Sequence, residues 1–201
     1  MNTALVLPVA YLLGAIPFGY LLVRWKTGRD VRASGSGNIG ATNVLRTTGR
    51  GAGITTLVLD IFKGWAAVWL ADRLSGGDPF WTSAAAVAAM LGHGYPVFLR
   101  FKGGKAVATF IGSFLYLTPL PLAAVLAVFA GTVAWTRFIS LGSIVAAATF
   151  PLAVWMILRP PAPVVLAALL GGAFIVYRHS ENIRRLRAGT EHTFSFGGAK
   201  K

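Results

Sequence analysis

Apolar runs of bilayer-crossing length follow one another along nearly the whole chain, and they point to a membrane protein before any motif is read. Residues 1 to 23 are free of charge, and further runs extend from Ile54 to Leu74, Phe80 to Leu99, Ala106 to Leu117, Leu120 to Trp135, Leu141 to Leu158 and Val164 to Tyr177. A hydrocarbon core of ~30 Å takes about 20 helical residues to cross, so the fourth and fifth runs are short for the task. Composition agrees: 55% of the 201 residues are hydrophobic and 12% charged, where soluble domains carry about 25% charge. The first run lacks the basic start and the small-residue cleavage site of a signal peptide, and is read as a retained span. The expected fold is all-α: a polytopic integral membrane protein with seven transmembrane helices in a single domain over residues 1–201. Pro17 in the first span and Pro151 in the sixth are expected to kink their helices, since each removes a backbone donor.

Lys and Arg in short loops resist translocation and set orientation. With seven crossings, nearly all of the 19 Lys and Arg fall on one side, from the Arg24–Arg50 stretch through Arg100, Lys102, Lys105 and Arg137 to the segment that starts at Arg178 and includes Lys200 and Lys201. The other side holds only Arg73 and Arg159. This places the N-terminus outside, the C-terminus in the cytoplasm and the long basic loops on the cytoplasmic face. A twelve-residue fourth run also suits a re-entrant segment, but losing that crossing would break the charge separation.

Several chemistries are excluded early. With no cysteine, thiol nucleophiles, disulfides and Cys–zinc sites are out. The three histidines show no H-E-x-x-H spacing, so no metal and no cofactor are expected. The net charge of +13 would suit nucleic acid, yet the basic residues are spread over membrane-facing loops without a recognition fold, and no nucleic-acid partner is expected.

The polar residues gather in three clusters on cytoplasmic connections. The first contains Gly35-Ser36-Gly37-Asn38-Ile39-Gly40, a G-x-G-x-x-G pattern, with Asp60 twenty residues on. The dinucleotide reading fails, because that fingerprint follows a strand and opens a βαβ unit, and Asp60 falls inside a span. What remains is physical: glycines free backbone N–H groups to converge on an anion, and Ser36, Asn38, Thr42 and Asn43 add side-chain donors. Arg46 joins them if the chain is helical from Ala41. An ordinary Gly/Ser turn is the plain alternative for this segment alone.

The second cluster, Gly92 to Thr109, contains Gly103-Gly104-Lys105 at a helix start, where backbone donors, helix dipole and a cation suit phosphate together. It is not a Walker loop, since Leu99 and Ala106 stand where glycine and Ser/Thr belong. Arg100, Lys102 and Lys105 would also serve as a positive-inside anchor. The third, Arg178 to Arg187, puts His179 and Asn182 on one helical face, able to address a single ligand, while Arg184, Arg185 and Arg187 suit an amphipathic tail on anionic lipid. Asp60 and Lys63 are expected to pair one turn apart within the second span, with a pocket-lining Lys63 the sharper option. Ser143, near a helix start, is either a helix cap or a donor to an oxyanion. Polar groups near the surface argue against a transporter, whose site would lie at the bilayer midplane. A transporter of phosphate or an organophosphate, and a lipid-binding structural protein, are the competing readings.

These three stretches resemble, in order, the three motif regions of the bacterial acyl-phosphate:glycerol-3-phosphate acyltransferases. The matching residues are Ser34 to Arg46, Gly92 to Thr109, and His179 to Leu186 with Gly189 and Glu191. Ala106 departs from the pattern, where many members have a further glycine. The resemblance implies a seven-helix enzyme of phospholipid biosynthesis that transfers a fatty acyl group from acyl phosphate to the sn-1 hydroxyl of glycerol 3-phosphate. Its products are lysophosphatidic acid and phosphate, and its surroundings are membrane lipid with no obligatory protein partner. Ser36, Arg46, Lys105, His179 and Asn182 are then the expected catalytic residues, with Gly37, Asn38, Gly40, Thr42, Asn43, Gly103, Gly104 and Ser143 as phosphate ligands. The H-x-x-x-x-D motif of another acyltransferase class is absent: Phe98, Arg184 and Gly197 lie five beyond the three histidines.

Overall fold

The computed structural model describes residues 3–194; Lys200 and Lys201, counted above on the cytoplasmic side, lie outside them. Among the described residues all regular structure is helical, and the chain divides into two compact units, Met1–Leu117 and Thr118–Lys201.

The first unit holds α1 (Val6–Ala15), α2 (Phe18–Thr27), α3 (Ala41–Thr48), α4 (Arg50–Ser75), α5 (Pro79–Gly94) and α6 (Val107–Leu117). The first expected span is broken where Pro17 stands: α1 ends at Ala15 and α2 resumes at Phe18. α5 starts on Asp78, whose side chain accepts from the Phe80 N–H at 2.8 Å, with Pro79 in the first turn where its missing donor is harmless. It ends at Gly94 rather than at Leu99, the end expected from its apolar run. Pro96 disfavours helical backbone at Tyr95, and Val97–Leu99 form a separate 3-10 turn.

Two close helix contacts organise this unit, α1 on α5 and α4 on α6. A methyl at Gly14 would fall on the Ala89 carbonyl, and one at Gly92 on that of Tyr11. Between α4 and α6 the same holds for Gly64 against Thr109 and Gly112 against Ile61. Backbones approach this closely only where side chains vanish, which is how membrane helices gain packing without a hydrophobic drive. The associated core is made of small residues, Val6, Ala10, Ala67, Ala71, Ala85 and Ala89. Large apolar side chains face outward instead: Ile54, Val58 and Phe62 on α4 are each more than half exposed, while Asp60 and Lys63 on the same helix are 2% exposed. In water that arrangement would be inside out, and in lipid it is the favourable one.

The second unit comprises α7 (Pro119–Thr136), α8 (Ile139–Leu158), α9 (Ala162–Arg178) and α10 (Ser180–Arg187). α7 packs on α8 and α8 on α9, the latter through Gly172, where a methyl would meet the Ala147 carbonyl. α8 continues through Pro151 without interruption. α9 and α10 bend by 53° at His179.

All seven expected apolar runs are helical, if trimmed at their ends. Four helical segments are long and apolar enough to cross a bilayer, Thr3–Thr27, α4, α7 and α8, and the α9–α10 pair makes a fifth if taken together. α6, at 11 residues, falls short by length.

Candidate active site

In the first unit the loop between α2 and α3 is held by one buried side chain. Asn43, 2% exposed, accepts the Ser36 N–H at 2.8 Å on Oδ1, while Nδ2 donates to the carbonyls of Asn38 at 2.8 Å, Ser34 at 3.1 Å and Val31 at 3.2 Å. Asn43 was expected to donate to an anion; its amide is engaged in shaping the loop. Asn38 Oδ1 likewise accepts the Gly40 N–H at 2.8 Å, and the Gly37 N–H donates to Ser34 O at 3.1 Å. Three loop amides read from the sequence as anion donors are therefore turned to the loop itself. Gly35 and Gly37 sit at φ of 60° and 69°, where glycine is favoured. At the loop's entry Asp30 accepts two-pronged bonds from Arg32, 2.7 Å at the shortest. That Arg32 hydrogen bond holds the Asp30 carboxyl below its ordinary range. α3 begins at Ala41, which meets the condition for Arg46: it stands one turn after Thr42 with its side chain exposed.

The second loop shares a small core with the first, since Leu99 packs with Val31, Ile39 and Val44. It then folds back on the end of α5. Gly104 N–H donates to His93 O at 3.0 Å, a methyl at Gly103 would meet the His93 carbonyl and Pro96, and one at Gly104 would fall on His93 Nε2. Backbone approach to α5 thus accounts for both glycines. Lys105 is half-buried beside them, and Ala106 is 1% exposed at φ 61°. Asp60 and Lys63 form the expected pair, Oδ1 to Nζ 2.8 Å. Lys63 also donates to Ile16 O at 2.8 Å, at the break between α1 and α2, and its Nζ lies 5.7 Å from the Phe18 ring centroid.

In the second unit His179 is 3% exposed, and its Nδ1 lies 2.7 Å from the Ile175 carbonyl. A carbonyl only accepts, so Nδ1 carries a proton and donates to it. Asn182 Nδ2 donates to Glu191 Oε1 at 2.7 Å. The same carboxylate receives Ser140 Oγ at 3.0 Å and Arg185 Nε at 2.7 Å. Burial alone would raise the Glu191 pKa, but these hydrogen bonds outweigh it and leave the carboxyl below its ordinary value. Ser143 Oγ donates to Ile139 O at 2.9 Å within α8, so binding a phosphoryl oxygen requires its hydroxyl to rotate.

Glu191 stands in the sequence only as the end of the third motif and His93 only as a member of the second stretch, neither with a role of its own, and Ser140 carries no signal. Nothing in their spacing announced these contacts, apart from the anomaly of Asp60 as a charge within a span. Among the described residues no three His, Asp or Glu side chains gather as a metal site.

A family model described as glycerol-3-phosphate acyltransferase matches residues 4–189. The chain belongs to this family. Relatives called glycerol-3-phosphate acyltransferase include one from Geobacter sulfurreducens, 51% identical over 96% of this chain and 98% of its own. Another, from Geotalea daltonii, is 48% identical over 96% and 99%. Among solved structures, the chain resembles PlsY (YgiH), an integral membrane glycerol 3-phosphate acyltransferase, in its glycerol 3-phosphate form. The TM-score is 0.91 at 40% identity, over 97% of this chain and 96% of that one. The lysophosphatidic acid form of the same enzyme gives 0.88 at 38% identity, with the same coverage. The loop scaffold, the second loop and the Glu191 network all involve residues within the three polar stretches read from the sequence.

Proposed function

We propose that the protein transfers a fatty acyl group from acyl phosphate to the sn-1 hydroxyl of glycerol 3-phosphate in the bacterial inner membrane, with its site on the cytoplasmic face. Membership of the family makes it an acyltransferase of phospholipid biosynthesis acting on glycerol 3-phosphate. Support for the topology comes from charge: seven crossings with the N-terminus outside place nearly all basic residues on the cytoplasmic side. The whole chain acts as one enzyme without cofactor or obligatory protein partner.

In the reaction the glycerol hydroxyl oxygen bonds to the acyl carbonyl carbon, negative charge grows on the carbonyl oxygen, and the carbon–oxygen bond to phosphate then breaks. The hydroxyl loses its proton to a base, and inorganic phosphate leaves. The donor is already activated, so the protein's task is to hold two phosphates and stabilise developing charge. Ser36, Arg46 and Lys105 bind phosphoryl oxygens, with Thr42 and the Gly103–Gly104 backbone beside them. Asn38, Asn43, Gly37 and Gly40 preserve the first loop's shape, and Ser143 joins by exchanging its bond within the helix. His179 and Asn182 position the acceptor.

The observation that carries this reading is the preorganisation of the third cluster: His179 and Asn182 are both buried, and each is held in place by a hydrogen bond, to the Ile175 carbonyl and to Glu191. The test is product formation by purified protein in detergent, from labelled glycerol 3-phosphate and palmitoyl phosphate, palmitoyl coenzyme A or an acyl carrier protein thioester. Lysophosphatidic acid is expected from palmitoyl phosphate alone. Product only from a thioester overturns the donor. Arg46→Ala and Lys105→Ala should abolish transfer in folded protein; normal activity in both overturns their assignment. His179 has the chemistry of a base for the attacking hydroxyl, and His179→Gln with near wild-type turnover would exclude it as an essential one.

A further inference from the structure

A buried ion pair in a membrane helix needs a reason, because apolar residues of similar volume in its place are often as stable or more so. In the first unit that reason lies in what the pair touches. Lys63 Nζ reaches Asp60 Oδ1 at 2.8 Å on one side and Ile16 O at 2.8 Å on the other. Asp60 Oδ1 lies 3.7 Å from His93 Nδ1, and both side chains are under 5% exposed. His93 O receives the Gly104 N–H at 3.0 Å, and its ring occupies the space a Gly104 side chain would need. A continuous line of contacts therefore runs from the α1–α2 break, through Lys63, Asp60 and His93, to the residue next to Lys105.

We propose that Asp60, Lys63 and His93 are positioning residues for the second phosphate loop, fixing where Gly103, Gly104 and Lys105 stand for substrate. None of the three touches substrate. They act by holding the loop against the end of α5, so disturbing them displaces the groups that bind phosphate and leaves the chemical step intact. This rests on the assignment of Lys105 to phosphate binding made above.

The experiment measures KM for glycerol 3-phosphate and for palmitoyl phosphate, kcat and melting temperature in detergent. His93→Ala and the double variant Asp60→Asn/Lys63→Met are each expected to raise KM for one of the two substrates about tenfold, as a small displacement of binding groups does. kcat should stay within about threefold, the pattern of lost binding rather than lost transition-state contacts. The double variant keeps both side-chain volumes while removing both buried charges, so it folds and carries the test even where His93→Ala does not. Gly104→Ala should raise KM for the same substrate, and His93→Ala added to it should restore affinity part-way, because the added methyl then has room. Wild-type KM values in the folded double variant overturn the proposal, as does a fall in kcat with KM unchanged. So does a melting temperature that drops alone. The assignment of Lys105 fails separately, if Lys105→Ala retains normal transfer.

Discussion

Replacing Asn43 by aspartate or by alanine should separate a loop scaffold from a ligand contact. The carboxamide accepts one N–H and donates toward three carbonyls at 2.8, 3.1 and 3.2 Å. At about 1 kcal/mol net per hydrogen bond, Asn43→Ala removes about 2–4 kcal/mol from the loop. Asn43→Asp is nearly isosteric and retains the acceptor for the Ser36 N–H, 2.8 Å away. Its second oxygen, however, replaces a donor in front of three carbonyl oxygens. The aspartate must take up a proton or drive the loop open, so it should be worse than alanine despite the closer shape. Thermal unfolding in detergent and KM for both substrates check this, with Asn43→Asp expected to melt lower and bind more weakly than Asn43→Ala. If aspartate matched wild type, or if both variants lost affinity at unchanged melting temperature, the scaffold argument would be refuted in favour of direct contact with substrate.

Other outcomes follow from single positions. Ala106→Gly relieves a left-handed conformation at φ 61° that costs alanine roughly 1–2 kcal/mol. Part returns through the lost methyl and a more flexible unfolded chain, so a gain of up to about 1 kcal/mol is expected; a markedly lower melting temperature would contradict it. Glu191→Gln should lower stability by turning an amide nitrogen toward either Asn182 or Arg185, and thermal scans should show it. Because the folded pKa of Glu191 lies below its ordinary 4.5, its contribution is full above that value and fades as pH falls through the depressed one. The variant should therefore show a flatter acid limb of stability than wild type, and identical limbs would remove Glu191 from the account.

Much of the helical frame was legible because lipid imposes a length on apolar runs, and each of the seven is helical. Boundaries were less legible. The third apolar run extends to Leu99 in hydropathy, while Pro96 ends α5 at Gly94. The three polar clusters were found by composition and place in the chain, and the Asp60–Lys63 pair by the penalty on buried charge. What the sequence concealed was how each polar group is used. Asn43, Gly40 and Ser143 looked like ligand donors, yet each makes its bond within the protein, a matter of three-dimensional orientation that residue type does not encode. Gly103 and Gly104 looked like a phosphate cradle, and their neighbours are His93 and Pro96. Glu191 lies nine residues from Asn182 in the chain, and only the turn after α10 brings the two together.

The glycine–carbonyl contacts of the first unit have a genetic consequence. Gly14, Gly64, Gly92 and Gly112 each face a backbone oxygen where a methyl would stand, and every glycine codon is one base change from alanine. Backbone cannot yield as a flexible side chain does, so the mildest exchange in the amino-acid alphabet would pry α1 from α5 or α4 from α6. Phe62, more than half exposed on α4, can drift among leucine, isoleucine and methionine at little harm. Inherited loss of this enzyme would therefore arise readily at four sites that take no part in its chemistry, through substitutions that a similarity matrix scores as nearly neutral.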